Sequence, residues 1–232
     1  QLHFNEKTIW AGGPKEGNSN NYIYGNRSDY NQEQTLKDLQ NIREKLDDKS
    51  QYVFGYRGTT AISDLNKLMG DLNGYEAFQD YGDIKMDFSR SGVTESQVTN
   101  YVRDLDMRTA LSTVSYDYDG VHYTREYFNS YPDNIMAVKL SASENAKVTV
   151  DLSMSLYHAH VVDSNVAEGD TITLAGHIRG NGLKNEAQLK VIPTGGTMTA
   201  NENGSISVTD ADSVVLIFGC GTNYVNEMPT YR

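Results

Sequence analysis

The sequence lacks a second cysteine and any long apolar run. Cys220 is the only cysteine in 232 residues, so no disulfide can form within the chain. The apolar run VVLIFGCG around it predicts a small buried side chain rather than a reactive thiol. No apolar run approaches the roughly 20 residues of a membrane-spanning helix, and no charged segment followed by an apolar one opens the chain. We therefore expect no membrane span.

Positive charge and tryptophan are also scarce. The chain has 20 Lys and Arg against 31 Asp and Glu, a formal net charge of −11, which repels phosphate backbones and argues against nucleic acid as a partner. It has a single tryptophan, Trp10, but 16 tyrosines. Tyrosine combines an apolar ring with a polar tip, which suits half-buried sheets. The composition therefore favours β structure.

One segment has clear helical periodicity. Between Asn31 and Asp48, apolar residues recur at steps of three and four within a charged background, which predicts one amphipathic helix packed against the sheets. A second, shorter helical turn is predicted around Thr60 to Met69. The apolar stripe of the longer helix consists of Leu36, Leu39, Ile42 and Leu46.

Strand patterns dominate after Gly70. Apolar and polar residues alternate on both sides of Asp119-Gly120, and a two-residue Asp-Gly link between such runs predicts a β-hairpin. Tight reversals are predicted at residues 193–196 and at Asn203-Gly204. Further strands are predicted in NIMAVKLSAS, KVTVDLSMSL, TITLAGHI, AQLKVIP, TMTAN, SISVT and SVVLIFG.

This spacing of strands predicts the fold class and the domain organisation. Short antiparallel strands separated by Gly, Asn, Asp and Pro turns are typical of a β-sandwich. No repeat, linker or second compositional regime interrupts the chain. We expect a mainly β fold, a large antiparallel super-β-sandwich with one amphipathic helix, in a single domain over residues 1–232.

Three histidines were weighed as metal ligands. His158 and His160 fall on one face of a predicted strand end, and His177 lies on a later strand. The group lacks a fourth spaced ligand, so ordinary hydrogen-bonding roles are favoured and neither a metal nor a cofactor is expected. Asp117 to Gly120 resembles the start of a calcium loop, but a hairpin explains it better. Gly180-Asn181-Gly182 and Gly219-Cys220-Gly221 are predicted to be turns or bulges rather than phosphate-binding loops.

Trp10 lies in a polar loop near the start of the chain. An aromatic face beside amides and a carboxylate is typical of a carbohydrate contact, but such a residue also serves as a lid over a hydrophobic edge. The residues alone leave both readings open. The candidate contact residues of this segment are Asn5, Glu6, Trp10 and Tyr22.

The same segment carries a family resemblance. LHFNEKTIWAGGP, Leu2 to Pro14, resembles the Leu-Asn-Glu-x-Thr-Leu-Trp-x-Gly-Gly-Pro segment near the start of glycoside hydrolase family 95 enzymes, the α-L-fucosidases and their relatives. Three later segments are similar to later parts of that region, in the same order: Asp80 to Phe88, Tyr101 to Ser143 and Asp210 to Tyr224.

The resemblance implies a division of labour between domains. In that family the region is an N-terminal β-sandwich, and the catalytic carboxylates belong to an (α/α)6 barrel that follows it. No catalytic residue is therefore expected in residues 1–232, and the chain alone should hydrolyse nothing. The implied partners are the barrel and, through the parent enzyme, fucosylated glycans.

The resemblance also has implications for the start of the chain and for its cellular location. The family's glycine-rich segment expected before Gln1 is absent, so a first strand is expected to be missing. An extracellular or cell-surface location in a bacterium is implied. Trp10 is expected to be partly exposed, because its contact surface would lie in the barrel or its substrate. The alternative is an independent carbohydrate-binding or adhesion module.

Overall fold

A computed structural model describes residues 2–11, 32–47, 77–157, 160–179 and 182–225. The chain divides into two compact units. The first comprises Gln1–Ile9, Asp80–Ile178 and Leu183–Arg232, and the second comprises Trp10–Gln79 and Arg179–Gly182. The single domain over residues 1–232 remains a prediction.

Fifteen strands and one α-helix account for most of the described chain. The helix, α1, spans Gln32–Asp47. The strands are β1 Leu2–Phe4, β2 Trp10–Ala11, β3 Ala77–Phe78, β4 Gly82–Asp87, β5 Thr99–Asp106, β6 Leu111–Tyr118, β7 Val121–Ser130, β8 Ile135–Ala142, β9 Val148–Leu156, β10 His160–Glu168, β11 Thr171–Ile178, β12 Lys184–Thr194, β13 Thr197–Ala200, β14 Ile206–Ala211 and β15 Ser213–Thr222.

Two antiparallel sheets form the first unit. The smaller has five strands in the order β1-β4-β9-β14-β13, and the larger has eight in the order β10-β11-β12-β15-β8-β7-β6-β5. The sheets face each other where β9 and β14 of the small sheet contact β8, β11 and β12 of the large one. The predicted mainly β sandwich is therefore confirmed.

Alternation along the strands builds the core between the sheets. In β11 every second residue is buried and its neighbours are partly exposed, the pattern of a strand with one face against a core. Each fully buried Leu or Ile contributes about 1.5 to 3 kcal/mol to folding. Fully buried core residues include Ile84, Val150, Leu152, Ile172, Leu189, Ile206 and Val214.

The tight turns lie where the sequence predicted them. Tyr118 pairs with Val121 across the hairpin of β6 and β7. Asp119 and Gly120 have φ values of 49° and 75°, as a two-residue type I′ turn requires. Positive φ values at Gly195, Gly196 and Gly204 mark the two other predicted reversals. All three predictions are confirmed.

The prediction for Gly219-Cys220-Gly221 is wrong. These residues lie inside β15 and pair in register with Gln188, Ala187 and Glu186 of β12. The prediction of a turn rested on the weak strand preference of glycine. Pairing with the long neighbouring strand β12 outweighs that preference. Gly180 and Asn181 of the other glycine-rich segment lie outside the described residues.

Glycine is required at the start of β4 for a packing reason. A Cβ atom on Gly82 would lie 2.1 Å from the carbonyl oxygen of Ser155 and 3.2 Å from Cζ of Phe4. Gly82 pairs with Phe4 on one side and Leu156 on the other. The absence of a side chain thus lets β1, β4 and β9 approach closely.

In the second unit, α1 confirms the predicted helix, and its packing against the sheets stays a prediction. Ile42 is buried at 2% exposure and Leu39 is half-buried, whereas Leu36 is 52% exposed, contrary to the prediction. At about 100° per residue, Leu36 lies about 120° around the helix from Ile42, off the buried stripe. The side chain of Leu46 and the turn predicted at Thr60 to Met69 lie outside the described residues.

The second unit also contains the short pair formed by β2 and β3, in which Trp10 pairs with Phe78. In the part of the chain that the structure describes, no helix is both long enough and apolar enough to cross a membrane.

Candidate functional site

The start of the first unit is a short strand followed by a closed turn. After β1, the N–H of Ile9 donates to the carbonyl of Glu6 at 3.2 Å. The carboxylate of Glu6 accepts from the N–H of Thr8 at 2.7 Å and also from the Thr8 hydroxyl. Residues 6 to 9 therefore form a turn that Glu6 stabilises from inside.

Two further contacts tie this turn to the sandwich. The side-chain carbonyl of Asn5 accepts from the N–H of Tyr81 at 3.0 Å, just before β4. The hydroxyl of Thr8 is hydrogen-bonded to the hydroxyl of Thr222 at the end of β15. We call Leu2 to Pro14 the motif segment; Asn5 and Glu6 order the part of it that lies in the first unit. Their contact with a substrate or a barrel stays a prediction.

Trp10 lies in the second unit, on β2. Its ring meets that of Phe78 edge to face, with 5.4 Å between the ring centroids. Trp10 is 41% exposed, as expected for a residue that offers part of its ring to another surface. Tyr22, the fourth candidate of this segment, lies outside the described residues.

Behind the turn, the first unit buries a chain of polar groups. His160, at the start of β10, donates through Nε2 to the carbonyl of Asp80 at 3.0 Å. The side-chain amide of Asn185 donates to Nδ1 of His160 at 3.2 Å. Burial lowers the pKa of His160 below its ordinary value, so the ring is neutral at pH 7 with its proton on Nε2.

Two atoms of this buried cluster have no hydrogen-bond partner among the described residues: the hydroxyl of Tyr81 and the side-chain carbonyl of Asn185. Tyr81 is fully buried, and its ring lies 5.6 Å from that of His160. Burial, with Cys220 nearby, raises the pKa of Tyr81 above its ordinary value. Each buried polar group without a hydrogen-bond partner lowers the free energy of unfolding by about 1 to 3 kcal/mol. The two such groups make this cluster a destabilising part of the core.

Cys220 borders the same cluster. It is half-buried rather than fully buried as predicted, because β15 nears the end of the sheet at this point. Burial, assisted by the charge of Glu6, raises the pKa of its thiol to about 12. A thiol that remains protonated at neutral pH is a poor nucleophile, which agrees with the structural role predicted from the sequence.

A second polar cluster was missed by the sequence interpretation. Nδ1 of His3 on β1 lies 2.5 Å from a carboxylate oxygen of Asp83 on β4. The hydroxyl of Tyr157 lies 2.8 Å from Nδ1 of His3 and 3.1 Å from the Asp83 carboxylate. Burial and the hydrogen bond to Asp83 raise the pKa of Tyr157, so the phenol keeps its proton and donates. The three side chains form a hydrogen-bonding cluster.

Of the three candidate metal ligands, His160 and His177 lie on opposite faces of the sheet. β9 ends at Leu156 and His160 begins β10, so the prediction that His160 ends a strand is wrong. His160 pairs with Ile178, which places the neighbouring His177 on the opposite face, where it contacts Asp163 at 3.0 Å. His158 lies outside the described residues, among which no group of three His, Cys, Asp or Glu is arranged to hold a metal.

Comparison with known families decides what this sandwich is. Residues 1–227 match the model described as "Glycosyl hydrolase family 65, N-terminal domain". The chain belongs to this family of N-terminal domains. Because the match covers nearly the whole chain, the alternative of an independent carbohydrate-binding or adhesion module is not favoured.

The relatives of this N-terminal domain are fucosidases. "Alpha-L-fucosidase 2" of Arabidopsis thaliana is 25% identical over 96% of this chain and 26% of its own length. "Probable alpha-fucosidase A" of Aspergillus oryzae is 26% identical over 97% of this chain and 28% of its own length. The protein of the same name from Aspergillus niger is 25% identical over 96% and 26%. The chain thus spans about a quarter of the length of these relatives.

Among solved structures, this N-terminal domain is similar to "Putative kojibiose phosphorylase from human microbiome", with a TM-score of 0.43 and 9% identity over 64% of this chain and 23% of that one. The likeness to fucosidases therefore comes from sequence. The expected resemblance to an N-terminal domain of α-fucosidase-like glycoside hydrolases is confirmed by the family match and the relatives.

Proposed function

We propose that this chain is the non-catalytic N-terminal domain of an α-L-fucosidase of glycoside hydrolase family 95, and that it supports a separate (α/α)6 catalytic barrel. The observation that carries the proposal is the alignment of 96% or more of the chain with three α-fucosidases. Each relative has about three quarters of its length outside the aligned region, enough for a separate catalytic domain.

The chemistry of the buried groups supports a non-catalytic role. Glycosidases of most families use two carboxyl groups that flank the scissile bond, one to protonate the leaving oxygen. In this domain Asp83 accepts from Tyr157 and contacts His3, while His160 is held neutral in the core. These arrangements stabilise the sandwich, and the catalytic pair is assigned to the barrel.

The motif segment is the proposed contact with the barrel or its substrate. The candidate contact residues are Asn5, Glu6 and Trp10 of this segment, together with Tyr22 further along the chain. The turn at residues 6 to 9 is fastened to β15 by the hydrogen bond between Thr8 and Thr222. The partly exposed ring of Trp10 offers an apolar face of the kind that packs against a neighbouring domain or a sugar. Such positioning contributes to catalysis without acid or base chemistry.

The proposed substrates of the whole enzyme are fucosylated glycans, and the proposed setting is extracellular or at the cell surface of a bacterium. The proposed substrates come from the resemblance to family 95 and from the names of the relatives. The proposed setting comes from that resemblance alone. Both apply to the longer protein rather than to the sandwich.

The test compares two proteins with one chromogenic substrate, 4-nitrophenyl α-L-fucoside. The 232-residue chain should fold and show no hydrolysis above the buffer rate, whereas a longer protein that contains it should hydrolyse the fucoside. Hydrolysis by the chain alone would refute the non-catalytic role. A folded longer protein that acts on another glycoside but not on fucosides would refute the fucosidase assignment and leave the domain role standing.

A further inference from the structure

A depression opens on the first unit where β6, β7 and β8 meet the segment after β4 and the start of β9. It is shallow and open to solvent. The side chains that matter here are Phe88, Ser91, Tyr116, Tyr123, Arg125 and Lys147.

Aromatic rings hold Arg125 in this depression. Its guanidinium carbon lies 4.1 Å from the ring centroid of Phe88 and 5.3 Å from that of Tyr116. One terminal nitrogen donates to the Tyr116 hydroxyl at 3.1 Å. Tyr116 in turn stacks on Tyr123, with 5.2 Å between centroids and 13° between ring planes. The guanidinium is therefore oriented before any ligand arrives, which reduces the entropy cost of binding.

A second arginine, Arg90, has the carboxylate partner that Arg125 lacks among the described residues. Arg90 donates from Nε and Nη2 to the two carboxylate oxygens of Asp151, each at 2.7 Å. Arg125 has only aromatic rings and phenol oxygens as partners within the described chain, although acidic residues outnumber basic ones by 31 to 20. Rings and phenols orient a guanidinium, but they do not neutralise its charge.

We propose that Arg125 is the centre of a binding site for a small oxyanion of the carboxylate or sulfate class, either free or carried by a sugar. A guanidinium cannot lose its charge in a protein, and its fork of N–H donors matches two oxygens of such an anion. Lys147, on the rim, adds a second positive charge, part of which is taken by Glu144 at 3.6 Å. The site is independent of the motif segment and of the parent enzyme's activity.

Binding is read from the Nε–H resonance of Arg125 in the ¹⁵N-labelled chain. Sodium sulfate, sodium acetate and sodium glucuronate are added in turn at constant ionic strength, with fucose as the uncharged control. We expect a saturable shift with the anions and none with fucose. Glucuronate that binds at least about tenfold more tightly than acetate identifies a sugar-borne anion, and equal affinity identifies a free one. A shift that never saturates, or that sodium chloride reproduces, refutes the site.

Two variants sharpen the test. Arg125→Gln should weaken anion binding by at least about tenfold, because the remaining hydroxyls cannot replace a charged fork. The matched control is Arg108→Gln in the turn after β5, where the side chain is 89% exposed and lies 3.7 Å from Asp106, and this change should leave affinity unchanged. Unchanged binding in a folded Arg125→Gln chain overturns the assignment. If that variant does not fold, the titration of the unaltered chain decides.

Discussion

The hydroxyl of Thr8 is hydrogen-bonded to that of Thr222, which joins the turn after the first strand to the end of β15 across 214 positions of sequence. Thr8 also donates to Glu6, so one side chain closes the turn and fastens it to the large sheet. Residues 6 to 9, the part of the fucosidase-like segment that forms this turn, are thereby held at the end of β15.

We expect Thr8→Val to lower the free energy of unfolding by about 1 to 3 kcal/mol, because its hydroxyl makes two hydrogen bonds, to Glu6 and Thr222, and each has a usual net value of about 0.5 to 1.5 kcal/mol. Thr222→Val should do the same, and the double variant should lose less than the sum because the two hydroxyls share one bond. Chemical denaturation of the four proteins measures the coupling. Thr197→Val, on an exposed position of β13, is the control, and strict additivity would show that the contact contributes nothing.

Gly82→Ala should destabilise the chain by about 3 kcal/mol or more, because the new methyl group would collide with the Ser155 carbonyl that lies 2.1 Å from its position. Gly219→Ala is a matched change inside β15, where no atom lies within 4 Å of the new Cβ. It should alter stability by less than about 0.5 kcal/mol. Equal losses in the two variants, measured by urea denaturation, would contradict the close approach of β4 and β9.

Stability should fall as the pH drops below about 6.5, in part because of His160. Burial lowers the pKa of His160 in the folded chain, so the unfolded chain binds the proton first. The stability that neutral His160 contributes is fully present above its pKa in the unfolded chain. It is lost as the pH falls towards the lower pKa of His160 in the folded chain. His160→Gln should flatten this part of the curve between pH 7.5 and 5. An unchanged slope in the folded His160→Gln chain would contradict this origin.

Cys220 should react slowly with iodoacetamide in the folded chain at pH 8. Its pKa of about 12 leaves very little thiolate at that pH, and the side chain is half-buried. In 6 M guanidinium chloride the rate should rise by at least about a hundredfold, as the thiol returns to an ordinary pKa near 8.5. Mass spectrometry follows the modification. Equal rates in folded and unfolded chains would contradict the elevated pKa.

Trp10→Ala should change the stability of the 232-residue chain by less than about 1 kcal/mol, as is usual outside a core. In a longer enzyme that contains this domain, the same change should lower fucosidase turnover through lost positioning. Tyr131→Ala, at a 98% exposed aromatic residue, is the control for both assays. A loss of several kcal/mol in the chain with unchanged turnover in the enzyme would identify Trp10 as a core residue.

The sequence was most informative where local rules decide structure. Asp119-Gly120 between alternating strands specifies a turn by backbone geometry alone. The three-and-four spacing of Leu36, Leu39, Ile42 and Leu46 correctly predicted the helix. Exposure of Leu36 was not predictable, because a three-and-four pattern does not say where the buried stripe ends.

The polar clusters were beyond sequence reasoning for a different reason. His3 and Asp83 are cross-strand neighbours only because β1 pairs with β4, and Tyr157 joins them from beyond β9. Contacts between residues so distant in sequence follow from sheet topology, which one sequence without aligned relatives does not specify. The aromatic cage around Arg125 arises in the same way, from the segment after β4 and from two adjacent strands.

The turn at Asp119 and Gly120 has a practical consequence for work on this chain. Both residues are exposed, and no atom lies within 4 Å of the position that a Cβ on Gly120 would occupy. A short epitope or a fluorophore-binding peptide inserted there would extend the hairpin outward without disturbing the register of β6 and β7. This tip therefore offers an attachment point for imaging or immobilising the 232-residue chain.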